Sequence, residues 1–367
     1  MSIQIKFAFV LFILSFALTE SFTGNDIKRY LSASKKILFS SPNTPINTLT
    51  RTYSSISSTL KMSSSSNFLS VSECIQRHSL ENTIFVDGSW HLSSRDGREE
   101  YENGPRIQNS RFFDIDDVAT KNHPHNVPHM MPPKKLFALA MDNLEISPSS
   151  DIIIYGTAGS FSTPRTYYTL RAMGHDTSRL HMMEGSLKEW IDAGGPIETG
   201  KKESVKMEDM DLSINTDDIK YDAAVDAKNV VDYEEVTDIV NKGEDSDSII
   251  VDARSAGRFV GEAPEPRPGL KGGHMPGAKN VPFNILMEEG KMNKFLSKEE
   301  MVKIFKEAGV DVETDKKIVC TCGSGVTACV LTAALEECGR DPATTMIYDG
   351  SWIEWASTED APVIKRE

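Results

Sequence analysis

A chain of 367 residues exceeds one ordinary domain, and once a leader is set aside it suits two domains of about 130 to 150 residues. With 26% charged and 39% hydrophobic residues the bulk reads as soluble and globular, and a formal net charge of -14 argues against binding a nucleic-acid backbone. Of the five cysteines, four crowd between Cys320 and Cys338, which is unlike a disulfide framework and favours a reducing compartment.

Lys6 precedes an apolar run from Phe7 to Leu18, too short to span a bilayer comfortably but suited to the core of a secretory signal. From Ile27 to Ser72 there is no Asp or Glu, while Ser, Thr, Lys and Arg abound, as in a transit peptide. A signal over 1–19 followed by a transit-like leader over 20–66 resembles the bipartite leaders that route proteins into plastids bounded by extra membranes. Mitochondrial import is the alternative, a Ser-rich tail without an address is another, and a start at Met62 would leave a cytosolic form. No membrane contact is expected once the leader is removed.

The remainder repeats with an offset of 165 residues: Val86-Asp87 recurs as Val251-Asp252, Gly185-Ser186 as Gly350-Ser351, and Glu189-Trp190 as Glu354-Trp355. Short apolar runs at Thr83 to Val86, Ile152 to Tyr155, Ser248 to Val251 and Ile318 to Cys320 alternate with helix-period segments. This pattern predicts α/β domains with a mainly parallel central sheet flanked by helices. Helices are expected over Pro164 to Met173 and Val326 to Glu337, with Gly174 and Gly339 at their C-terminal caps. The boundaries expected are a first domain over 67–200, a charged, solvated linker over 201–226 and a second domain over 227–367.

In the second copy the strand ending at Cys320 runs through Thr321 into Cys322-Gly323-Ser324-Gly325-Val326-Thr327 and then a helix. Two glycines let the backbone curl so that N–H groups turn inward, and the helix dipole adds positive potential there. Such a loop stabilises the thiolate of Cys322 and the terminal sulfur anion of a persulfide. A buried structural cysteine before a Gly-rich turn would show the same local pattern.

The loop Cys322 to Thr327 resembles that of the mercaptopyruvate sulfurtransferases, within the tandem-domain rhodanese family. The resemblance covers about Phe68 to Ala356. It implies two tandem rhodanese-like domains, the first without a catalytic cysteine because Thr157 stands opposite Cys322. Asp252 to Phe259 with Pro264 to Arg267 matches the substrate segment, so Arg258 and Arg267 are implied to hold the substrate carboxylate and carbonyl. Phe112 to Asp116 and Pro128 to Pro132 match segments facing the site, implying a relay of Asp116, His129 and Ser324 beside Cys322. Gly273 to Ala278 matches a structural turn, which makes His274 architectural. Arg106 to Ser110 departs from the turn usual in the first domain.

The implied reaction moves sulfur from 3-mercaptopyruvate, with thiosulfate as the alternative donor, through a Cys322 persulfide to cyanide, a small thiol or a thioredoxin-like dithiol. No metal or organic cofactor is implied. The neutral Gly323-Ser324 pair favours mercaptopyruvate, because thiosulfate's second charge finds no local partner. A cysteine phosphatase would need an Arg where Ala328 stands. Zinc at Cys320, Cys322 and Cys329 lacks a second ligand pair. A silent rhodanese-like binding module fits the first domain but not the second. Cys320, Cys329 and Cys338 read as core or helix-packing residues, with a redox role left open.

Overall fold

The computed structural model describes residues 66–365, apart from 93–94, 223–224, 226 and 292. The leader expected over 1–66, Ser66 excepted, and the internal start at Met62 lie outside the described residues.

The first domain runs β1 (Phe68–Ser70), α1 (Val71–Arg77), β2 (Thr83–Asp87), α2 (Gly97–Asn103), β3 (Arg106–Ile107), β4 (Arg111–Phe112), α3 (Lys134–Asn143), β5 (Asp151–Tyr155), α4 (Thr163–Ala172), β6 (Leu180–Glu184), α5 (Leu187–Asp192) and β7 (Ile197–Glu198). The second runs β8 (Val230–Val231), α6 (Tyr233–Lys242), β9 (Ser248–Asp252), α7 (Ala256–Val260), β10 (Lys279–Asn280), α8 (Lys298–Glu307), β11 (Lys317–Thr321), α9 (Ala328–Glu337), β12 (Thr345–Tyr348) and α10 (Ser351–Ser357).

Each domain is built on a five-stranded sheet, in the orders β1-β6-β5-β2-β4 and β8-β12-β11-β9-β10, with every pairing parallel. The two orders are the same, strand for strand. The apolar runs are near-continuous because both faces of a parallel sheet are covered, and β5 and β11, at the centres, are buried after their first residue. The helices α4 and α9 each end in a Schellman motif: Gly174 and Gly339 take φ of 92° and 94°, and the N–H groups of His175 and Arg340 reach back to Leu170 and Leu335. Trp190 and Trp355, at matching positions in α5 and α10, are fully buried and donate to the carbonyls of Pro196 and Pro362 at 3.0 and 2.9 Å.

Two segments depart from the plain repeat. Arg106 to Ser110 forms an antiparallel ribbon with β7, in which buried Arg106 pairs with Glu198 at 2.8 Å and donates to the Tyr101 and Gly200 carbonyls. Of the charged connection 201–226, expected to be solvated, residues 201–222 lie along the first domain. Met210 and Tyr221 are buried in its core, Asp142 accepts from the N–H groups of Lys220 and Tyr221, and the Tyr221 hydroxyl meets His175 at 2.8 Å. Val205, Met207, Ile214 and Ile219 pack against the same core, so apolar contacts along its length fasten it.

Candidate active site

The loop after β11 carries Cys322, which is 2% exposed. Its geometry is set by α10 behind it. The Cys322 N–H donates to Ser351 Oγ at 3.2 Å, while the Cys322 and Gly323 carbonyls accept from the N–H groups of Trp352 and Ile353 at 3.0 and 3.1 Å. A trans peptide plane points its N–H opposite its carbonyl, so the N–H groups of Gly323 and Ser324 are directed away from α10. Among the described residues, no N–H from Gly323 to Thr327 donates to a protein acceptor. Unpaired N–H groups in a buried loop are costly unless an anion takes them. Thr327, the N-cap of α9, makes no side-chain capping bond, so the start of that helix also remains open to the loop.

Burial pushes Cys329 up to about 12 and Cys338 up to about 11, and raises Cys320 further. All are free thiols packed in the interior.

A cleft of about 200 Å³ opens beside Cys322 between the two domains. The second domain contributes Arg258, Arg267, Phe283, Asn284 and the loop itself; the first contributes Trp90, Leu92 and Phe161. Phe161 and Phe283 meet across the boundary with ring centroids 5.2 Å apart. Arg258 is held by Glu265 at 2.5 Å, and Glu265 also binds Arg254 at 2.8 Å. Buried Arg254 is further fixed by Asp252 and by the Trp352 ring, 4.1 Å from its guanidinium carbon. Arg267 makes no hydrogen bond or ion pair among the described residues. Burial lowers its pKa, while Cys322 and Asp116 pull the other way.

His129 is buried at the interface with Nδ1 2.8 Å from Asp116 Oδ1, a close contact but not an aligned hydrogen bond, and Nε2 is buried with no hydrogen-bond partner among the described residues. The Trp90 indole N–H donates to the other Asp116 oxygen at 2.7 Å, and its ring stands edge-on to His129. Burial lowers the His129 pKa, outweighing Asp116. Burial also raises the Asp116 carboxyl, but His129 and Trp90 outweigh it and leave the group below its ordinary value. Ser324 lines the same cleft, yet no hydrogen bond joins it to His129. Of the expected relay, the Asp116–His129 half is in contact. His274 stacks on Phe259 at 3.8 Å and binds its carbonyl.

The matching loop of the first domain is closed. Thr157 contacts His91 at 3.2 Å and donates to Glu100 at 3.2 Å, and Arg95 binds the Ala158 carbonyl at 2.6 Å. Ser160 and Ser162 reach the backbone of Trp90 and Gly88. Residues not singled out from sequence are Trp90, Leu92, Phe161, Phe283, Asn284, Arg165 and Asp349. For Arg165 a signal existed: it interrupts a buried helix where its counterpart in the repeat is Val330.

A parallel five-stranded domain with a cysteine at the mouth of its central strand, in a loop of open N–H groups, defines a rhodanese-type sulfur carrier. The Rhodanese-like domain model matches residues 232–358. The chain is 34% identical to the 3-mercaptopyruvate sulfurtransferase of Mus musculus over 274 residues, covering 74% of this chain and 84% of the relative. It is 32% identical to "Thiosulfate/3-mercaptopyruvate sulfurtransferase 1, mitochondrial" of Arabidopsis thaliana over 289 residues, covering 76% and 73%. The crystal structure of Tum1 protein from Saccharomyces cerevisiae superposes with a TM-score of 0.70 at 30% identity, over 83% of this chain and 99% of that one. The chain belongs to the tandem-domain thiosulfate/3-mercaptopyruvate sulfurtransferase family and is a sulfurtransferase.

Proposed function

We propose that the sulfur donor is 3-mercaptopyruvate and that Cys322 carries the sulfur as a persulfide. The observation that carries this reading is the charge balance of the cleft. Glu265 offsets Arg258, the lips Gly323 and Ser324 are neutral, and Arg267 alone among the cleft arginines has no carboxylate partner among the described residues. One open guanidinium suits one carboxylate, whereas thiosulfate brings two charges.

In the cycle, Arg267 and the free edge of Arg258 hold the carboxylate and carbonyl. The Cys322 thiolate attacks the donor's thiol sulfur; an S–S bond forms as the C–S bond breaks, and the electron pair passes into the enolate of pyruvate. The thiol proton ends on the enolate carbon, leaving Cys–S–S⁻ among the N–H groups of Gly323 to Thr327. Asp116, His129 and Ser324 carry that proton away beside Cys322, with Asp116 2.8 Å from His129 Nδ1. A small thiol, a thioredoxin-like dithiol or cyanide then attacks the outer sulfur and restores the Cys322 thiolate. The first domain, over 67–200, acts as the second wall of the cleft.

Steady-state transfer to cyanide by the purified protein tests this. Mercaptopyruvate should exceed thiosulfate in kcat/KM by about tenfold or more, and Cys322→Ser should abolish transfer from both. A thiosulfate preference would move the donor assignment, and activity surviving in Cys322→Ser would overturn the mechanism.

We further infer an organellar address, a plastid reached through the secretory route, from the apolar run Phe7 to Leu18 and the acid-free stretch behind it. A fluorescent protein fused behind residues 1–66 should enter plastids, and removal of residues 1–19 should divert it. Accumulation of the intact fusion in mitochondria, as the name of the Arabidopsis relative would suggest, or in the cytosol would sink the plastid assignment.

A further inference from the structure

We propose that Arg165, a residue of the domain without the cysteine, positions both halves of the site for sulfur transfer; the inference rests on the persulfide loop and relay assigned above. Arg165 lies in the first turn of α4, and its side chain is 1% exposed. It is not part of the cleft lining, so it acts through other groups. One guanidinium nitrogen donates to the His129 carbonyl. A second donates to Asp349 at 2.8 Å and to the Gly325 carbonyl at 3.4 Å, a carbonyl that Cys329 Sγ also reaches at 3.3 Å. Asp349 in turn accepts from the Met131 N–H at 2.6 Å. A single buried ion pair thus fastens the 128–132 segment of one domain to the Cys322 loop of the other.

The two carbonyls belong to residues with unusual backbones. His129 takes φ of 63° and Gly325 φ of 83°, both left-handed. For histidine that conformation costs about 1–2 kcal/mol and must be imposed by its surroundings. Arg165 supplies a contact that does so at both places. Because the peptide unit is planar, holding the Gly325 carbonyl also aims the Val326 N–H in the opposite direction, away from Arg165. α10 performs the same service for Gly323 and Ser324 through the carbonyls of Cys322 and Gly323. The loop's N–H groups are therefore aimed from two sides, one of them contributed by the other domain. Gly325 fits its place tightly: a methyl group there would lie 2.9 Å from an Arg165 nitrogen and 3.1 Å from the Asp349 carbonyl.

The alternative is that Arg165 merely glues the domains together. Two variants of the full chain separate the ideas. Arg165→Lys keeps the buried charge opposite Asp349, but a single ammonium lacks the fork that spans both carbonyls. The double variant Arg165→Met with Asp349→Leu replaces the pair by apolar groups, a change that buried ion pairs often tolerate. The readouts are urea unfolding, steady-state KM for mercaptopyruvate and the single-turnover rate of persulfide formation.

Both variants are expected to fold, to keep KM within about threefold, and to lose about 30-fold or more in persulfide formation. A folded double variant with the wild-type rate, an effect confined to KM, or loss of the folded state in both variants would each overturn the proposal. Failure of the donor assignment is distinguishable, because it would show in the wild-type protein as absence of transfer from mercaptopyruvate.

Discussion

Asp87 and Asp252 occupy the same place in the two repeats, at the ends of β2 and β9, but their surroundings differ. Asp252 receives the guanidinium of Arg254, whereas the position matching Arg254 in the first domain is Ser89. Asp87 is 1% exposed and accepts the Ser89 N–H at 2.9 Å, and its second oxygen has no aligned hydrogen bond among the described residues. Burial pushes its carboxyl up to about 6 from 3.8. A carboxyl with a raised folded-state pKa binds its proton more tightly in the native state, so stability falls as pH rises from about 4 to 6 and stays reduced above. Two units correspond to about 3 kcal/mol at neutral pH. Asp87→Asn keeps the acceptor for Ser89 and removes the charge. It should therefore stabilise the protein at pH 7 by about 1–3 kcal/mol and leave it nearly unchanged at pH 4. Urea unfolding of both proteins at the two pH values measures this; an equal difference at both would show that the charge is not the cause.

At the scale of elements, α4 and α9 pack against one another between the two sheets, which explains why α9 is apolar on nearly every side: it is buried from Ala328 to Leu335. Near their C-terminal ends Arg171 meets Glu336 at 2.6 Å, and Asn67 satisfies the other Glu336 oxygen at 2.8 Å. Burial raises the Glu336 carboxyl, against the pull of Arg171. Removing one partner leaves a buried charge alone, so Arg171→Met should cost about 3–5 kcal/mol, and adding Glu336→Leu should recover much of it. Unfolding free energies of the two single variants and the double variant give the coupling directly. Additive losses would mean that the two side chains act independently.

For the whole molecule, the fold was legible because the repeat doubled every signal. The predicted strands match β2, β5, β9 and β11 to within a residue at each end. The helix expected from Val326 begins instead at Ala328, because Val326 and Thr327 are spent on the loop that surrounds Cys322. Cys322, Arg258 and Arg267, singled out from local motifs in consecutive residues, come to line one cleft. Trp90 and Phe161 carried no such motif, because they face the cleft only when one domain is laid against the other. The fastening of the connection after Gly200 was hidden for a related reason: its apolar residues are diluted among charges. Arg171 of one copy touches Glu336 of the other. These two positions are 165 residues apart and correspond to each other in the repeat, so they can touch only beside the axis that relates the two copies. In a pair of separate, identical chains the same side chain would stand at both places, and arginine would face arginine or glutamate face glutamate. Joining two copies in a single chain released them from that identity. The same freedom that let one copy take the positive charge and the other the negative let one keep a thiol while the other took Thr157.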